Sequence, residues 1–81
     1  MNTSSNTIHE LTQRRNDGID VTMFWDSATD RVTVAVNDRK AGEVFDILVA
    51  PGERALDVFN HPYAYAAAGD RKRPSAMAEA A

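Results

Sequence analysis

Residues 19–49, IDVTMFWDSATDRVTVAVNDRKAGEVFDILV, decide the fold of this chain. Three runs within them are rich in β-branched and aromatic residues and alternate in polarity. The segments between the runs are loaded with Asp, Asn, Ser and Gly, which is the pattern of an antiparallel β-meander. Side chains two apart in a strand share a face. The first run therefore sets Ile19, Val21, Met23 and Trp25 against Asp20, Thr22, Phe24 and Asp26. The second sets Val32, Val34 and Val36 against Arg31, Thr33, Ala35 and Asn37, and the third sets Phe45, Ile47 and Val49 against Val44, Asp46 and Leu48.

Register follows from the same alternation, because a slip of one residue would turn a whole apolar set to the wrong side. Pairing Trp25 with Val32, Met23 with Val34 and Val21 with Val36 keeps the apolar faces together. Pairing Val36 with Phe45, Val34 with Ile47 and Val32 with Val49 does so for the next hairpin. The connections are then the six-residue loops DSATDR and DRKAGE. Asp26 and Asp38 open these loops, where a carboxylate accepts backbone amide hydrogen bonds, and Gly42 supplies a left-handed closing residue. All three are read as turn chemistry.

Beyond Val49 the period changes. Pro51 suits the first helical position, and Glu53 in the first turn complements the helix dipole. Ala55, Leu56, Val58, Phe59 and Tyr63 recur at helical spacing, which predicts a helix that covers the sheet. Pro62 ends that helix near Asn60 and opens a second helical piece over 62–68, with Gly69 after it. The expected core is Ile19, Val21, Met23, Trp25, Val32, Val34, Val36, Phe45, Ile47, Val49, Leu56 and Phe59. Residues 69–81, with their small and charged side chains, read as a flexible tail, and residues 1–7 as a disordered start.

Residues 8–15 admit two readings. Thr7 followed by Glu10 fits a capping box, with Ile8 and Leu11 on one side of a short helix. Asn16-Asp17-Gly18, however, is a tight-hairpin signal directly before a strand. The hairpin reading is preferred. It adds an edge strand over 10–15, with Gln13 opposite Thr22 and Leu11 opposite Phe24, and its charges discourage further strand pairing. The fold class is thus α+β, an antiparallel meander of three or four strands with a C-terminal helix on one face, in a single domain over 8–68.

Trp25-Asp26, the run VTVAVND over 32–38, Gly42-Glu43-Val44-Phe45, Arg54-Ala55-Leu56-Asp57 and the run HPYAYA over 61–66 together carry a resemblance. Over residues 10–67 the chain resembles a group of short uncharacterised proteins of high-GC actinobacteria. The resemblance implies a bacterial cytoplasmic origin and no particular chemistry.

At 81 residues the chain is near the size at which one core is only just sufficient. It has no cysteine, so thiolate metal sites and disulfides are excluded. No apolar run is long enough to span a membrane, and MNTSSNT lacks the basic start and apolar stretch of a signal peptide, so the expected location is the cytoplasm. Nine Lys and Arg stand against twelve Asp and Glu, a formal charge of −3, which argues against general polyanion binding.

The two histidines, His9 and His61, stand in no metal-ligand spacing, and no phosphate-loop, dinucleotide or nucleophile-elbow motif occurs. Asp20 and Asp46 fall on the less apolar sheet face and read as solubilising. The chain is therefore read as non-enzymatic, with no cofactor and no metal site. Three features suggest binding. Phe24, Val44, Leu48 and Leu11 lie together on the face away from the helix, where exposed apolar side chains mark a partner protein or a homodimer. His61, Tyr63 and Tyr65 cluster at the proline break, and tyrosine combines an apolar body with a polar tip. His61 is also placed to interact with the end of the preceding helix. Last, Arg71, Lys72 and Arg73, with Arg14 and Arg15 as a second basic patch, give nucleic-acid association as the alternative to an adaptor or regulatory protein.

Overall fold

The computed structural model describes residues 7–68 and 73–74. The strands are β1 (Ile8–Asn16), β2 (Ile19–Asp26), β3 (Arg31–Asp38) and β4 (Glu43–Leu48), followed by the helices α1 (Ala55–Asn60) and α2 (Pro62–Ala67) and a two-residue β5 (Arg73–Pro74). The sheet is antiparallel in the order β1-β2-β3-β4-β5, a meander in which each strand pairs with its neighbour in sequence. Trp25↔Val32, Met23↔Val34 and Val21↔Val36 are in register, as are Val36↔Phe45 and Val34↔Ile47. Val49 donates its amide to the Val32 carbonyl at 2.9 Å, just beyond the last paired residue of β4. The antiparallel α+β fold with its helical cover is therefore as the alternation predicts.

The hairpin reading of the N-terminal segment holds, and the strand is longer than expected. Asn16 pairs with Ile19 across a turn in which Asp17 and Gly18 both have positive φ, 55° and 82°. That is the geometry the Asn-Asp-Gly sequence prefers in a two-residue loop. Gln13 lies opposite Thr22 as expected, but Leu11 does not lie opposite Phe24. A register shift between Glu10 and Thr12 leaves Leu11 unpaired, and Glu10 takes the place opposite Phe24. Such a bulge at an edge strand breaks the regular ladder that another chain could extend.

The two later hairpins close one pair tighter than expected, with Asp26↔Arg31 and Asp38↔Glu43 as terminal pairs. The turn chemistry is as read. The Asp26 carboxylate accepts the Ala28 amide at 2.9 Å, and the Asp38 carboxylate accepts the Lys40 and Ala41 amides at 3.0 Å each. Asp30 and Gly42 close the two loops in the left-handed region at φ 56° and 68°. Thr7 is tied to the first of these turns, its carbonyl accepting the Ser27 amide at 2.9 Å.

The helical region departs from expectation at its start. Pro51 and Glu53 are not in the first turn of a helix. They belong to a turn in which the Glu53 amide donates to the Ala50 carbonyl at 3.1 Å and the Glu53 carboxylate accepts the Ala50 amide at 2.9 Å. Gly52 between them has φ 86°, which no α-helix accommodates. Pro and Gly occupy the two central positions that a type II turn prefers. The helix starts after Arg54, breaks at His61 (φ −133°) and restarts at Pro62, the break being where proline forces it.

The buried cluster is Val21, Met23, Val34, Val36, Phe45, Ile47, Val58, Phe59 and Ala66, with Ile19, Val32, Val49, Ala55 and Tyr65 packed against it. Two residues expected in the core lie elsewhere. Leu56 is 59% exposed, because Ala55, Val58 and Phe59 form the stripe that meets the sheet and Leu56 is a helical step away from it. Trp25 is on the apolar face but only half-buried, stacked on His9 at 5.5 Å, with its indole N–H donating to the Asp30 carboxylate at 2.9 Å. The two leucine-class positions differ sharply in consequence. Ile47→Ala should lower the unfolding free energy by about 2–5 kcal/mol, whereas Leu56→Ala should change it by no more than about 0.5 kcal/mol. Urea titrations of the two variants followed by circular dichroism check the contrast.

Candidate functional site

The two faces of the sheet are unlike. On the outer face Thr33, Ala35 and Asp46 are buried, Asp46 to 1% exposure, while Phe24, Val44 and Leu48 are half-buried. Phe24 is thus not the exposed aromatic that alternation alone suggests, and Asp46 is not a solvated carboxylate. Asp20 is engaged as well, accepting from Arg15 at 2.7 Å and from Arg39 at 2.5 Å. The Arg15 hydrogen bond is the main reason its carboxyl is held below the usual range, with Arg39 adding to it. The depression on this face is edged by Glu10, Gln13, Arg15, Asp20 and Asn37, a mostly polar rim around Phe24. Leu11, 51% exposed, sits at the bulge on the β1 edge, outside that rim.

The helical face carries a concavity of its own. Where the α1–α2 elbow crosses the β1–β2 end of the sheet, a groove of about 410 Å³ runs between Ile19 and Val21 on one side and Pro62, Tyr63 and Ala64 on the other. Its lining also includes the polar Arg14, Asn16 and Asp17 from the sheet and Asn60 and His61 from the elbow. Three tethers fix the elbow, two of them to the sheet. Arg14, opposite Val21 in register, lies on the apolar side of β1. Its Nη2 donates to the Phe59 carbonyl at 2.9 Å and to the Asn60 carbonyl at 3.4 Å, and its guanidinium lies 5.2 Å from the Phe59 ring centre. The carbonyls that α1 leaves unsatisfied at its C-terminus are therefore served from β1. His61, expected at this post, has its side chain exposed and lining the groove.

The second tether is Tyr63, whose ring meets Phe45 edge-on at 5.4 Å and whose hydroxyl donates to the Asp38 carboxylate at 2.6 Å. Asp38 is buried and already accepts two turn amides. The Tyr63 hydrogen bond first, and the Ala41 amide next, hold the Asp38 carboxyl below its usual range. Conversely, partial burial and the bond to Asp38 push the Tyr63 hydroxyl well above the ordinary tyrosine range. The third is Tyr65, half-buried against the core, whose hydroxyl donates to Asp57 one helix back.

Of the residues singled out from the sequence, His61 and Tyr63 come together in this groove and Tyr65 stands behind it. Phe24, Val44 and Leu48 are on the opposite face. Arg14 and Arg15 do not form a joint patch, since neighbours in a strand point to opposite faces. Arg14 enters the groove and Arg15 pairs with Asp20 on the outer face. Arg71 and Lys72 lie outside the described residues, and Arg73 is in β5, its backbone opposite Asp46. Among the described residues no three His, Asp or Glu side chains converge as a metal site would require, and no helix is long and apolar enough to cross a membrane. No protein family, curated protein or solved structure matches the chain.

The Tyr63–Asp38 pair has a defined pH signature. Asp38 is lowered on folding, so its contribution is present above the ordinary carboxyl value near 3.8 and lost as pH falls through its folded value. Tyr63 is raised, so its contribution is complete below the ordinary value of 10.0 and is lost progressively above it. Tyr63→Phe should lower the thermal midpoint at neutral pH. The gap between the two proteins should then narrow above pH 10 and below pH 4. Calorimetry across pH checks this, and a constant gap would remove the pair from the account.

Proposed function

We propose that this protein is a small non-enzymatic adaptor or regulatory module of the cytoplasm that binds a protein partner through the groove at the helical elbow. One observation carries the reading. His61, Pro62, Tyr63 and Ala64 form one wall of a groove whose shape is set by bonds the protein makes to itself, from Arg14 to Phe59 and from Tyr63 to Asp38. A surface whose side chains are already fixed loses less conformational freedom when a partner docks. Its mixed lining, apolar Ile19, Val21 and Pro62 beside polar Arg14, Asn16 and Asn60, also resembles the make-up of an interface.

The outer sheet face is the weaker candidate for that contact, because Phe24, Val44 and Leu48 are half-buried and the rim around Phe24 is charged and internally paired. Nucleic-acid binding has less support still, since Arg14, Arg15 and Arg39 among the basic side chains are committed to carbonyls or to Asp20.

Capture of the tagged protein with its partner from nuclease-treated lysate of its source, done for three versions, tests the reading. Wild type and Phe24→Glu should retain the same stoichiometric partner, and Ala64→Glu should lose it. Ala64 is exposed on the groove wall, so the carboxylate it would gain blocks the groove without entering the core. Loss of the partner with Phe24→Glu alone would move the interface to the outer face, and partners that vanish with nuclease would favour the basic residues.

A further inference from the structure

Among the described residues Arg14 is a cation without a counter-ion. Its Nη2 is taken up by two main-chain carbonyls, while Nε is buried without any hydrogen-bond acceptor and Nη1 has none among the described residues. The ion pairs formed by Arg15, Arg39 and Lys40 leave it out. Asp17, the one carboxylate among the described residues that lines the same groove, is engaged by Lys40 at 3.0 Å. A half-buried guanidinium with no counter-ion among the described residues favours an anionic acceptor in the groove. A carboxylate supplies one at Nη1, forked with Nη2 where the 3.4 Å contact to Asn60 is given up, while Nε stays buried.

From this charge complementarity we infer that the groove recognises an acidic side chain, a glutamate or aspartate of the partner, placed against the Arg14 guanidinium. This rests on the groove being the binding surface proposed above and names what it selects. The remaining lining fits a short peptide segment around such a residue. Ile19 on one side and Pro62 and Ala64 on the other give apolar contacts for the residue beside the acid, and the Asn16 and Asn60 amides of the lining can donate to and accept from its main chain. Recognition would thus combine one desolvated ion pair with a modest apolar contact. Arg14 would keep its bond to Phe59 throughout, so the same side chain both caps α1 and reads the ligand.

The test uses the full chain and a blocked pentapeptide with a central glutamate flanked by leucines. Its controls are the same peptide with glutamine and the glutamine peptide with a free C-terminal carboxylate. Binding is followed by the side-chain Nε–H resonance of Arg14 in nitrogen-15 spectra. The glutamate peptide should move that resonance saturably and bind about tenfold or more tighter than its glutamine counterpart, the usual margin for a hydrogen bond to a charged group. Arg14→Lys should weaken the glutamate peptide about tenfold, since an ammonium cannot form the fork. If Arg14→Lys fails to fold, Ala64→Glu decides instead: it should remain folded and lose the glutamate peptide. Equal binding of the glutamate and glutamine peptides, or preference for the free C-terminus, would overturn the assignment. So would an Arg14 resonance that stays still, or glutamate binding that survives in a folded Arg14→Lys or Ala64→Glu protein. A partner still lost with Ala64→Glu but indifferent to these peptides would leave the groove as the interface and remove only the acidic specificity.

Discussion

The hydrogen bond from Arg14 to the Phe59 carbonyl is the contact on which the arrangement turns. The meander exposes one strongly apolar face, and among the described residues two helices of six residues each cover it. Helices that short do not persist on their own, because nucleation costs more than so few internal hydrogen bonds return. They are held by packing of Val58, Phe59, Pro62 and Ala66 and by bonds to the sheet at their weak points. Arg14 secures the end of α1, and Tyr63 secures the start of α2 through Asp38. Both tethers reach across the elbow, and the space between them is the groove. Shape and stability therefore have a common origin here, and a change to either tether alters both.

Most of the sheet is legible from alternation. The registers of the two central hairpins follow from keeping Val21, Val34 and Ile47 on one side, since any slip would expose them. The Asn16-Asp17-Gly18 turn is equally readable, because few sequences tolerate two successive residues at positive φ. The bulge at Leu11 was not legible: an inserted residue leaves the composition of the strand unchanged, and its signal exists only in the pairing. The start of α1 was misplaced because Pro51 suits a helix N-terminus and a type II turn alike. Gly52 directly after it was the signal for the turn, since glycine at the third position of such a turn takes the positive φ that proline at the second leaves to it.

The groove was half legible. His61, Tyr63 and Tyr65 stand out as a cluster at a proline break, and two of them, His61 and Tyr63, line the groove. Arg14 read as one half of a basic pair, and its actual role depends on an acceptor 45 residues away. One clue was present: in the expected register Arg14 falls opposite Val21, which places a charged residue on the apolar face. A charge in that position must find a polar partner, and the unsatisfied end of a covering helix is the nearest source. By contrast, Phe24 is more buried than alternation suggests, since alternation says which way it points but not how deeply its neighbours bury it.

The central claim is that the surface formed by the β1–β2 end and the helical elbow, and not the outer sheet face, meets the partner. Hydrogen exchange of the protein alone and saturated with its captured partner tests this most directly. The account predicts added protection of backbone amides over residues 14–19 and 61–64, where the groove is built, with the amides of 33–37 and 44–48 unchanged. Protection gathered on those central strands, with the elbow left as in the free protein, would contradict it.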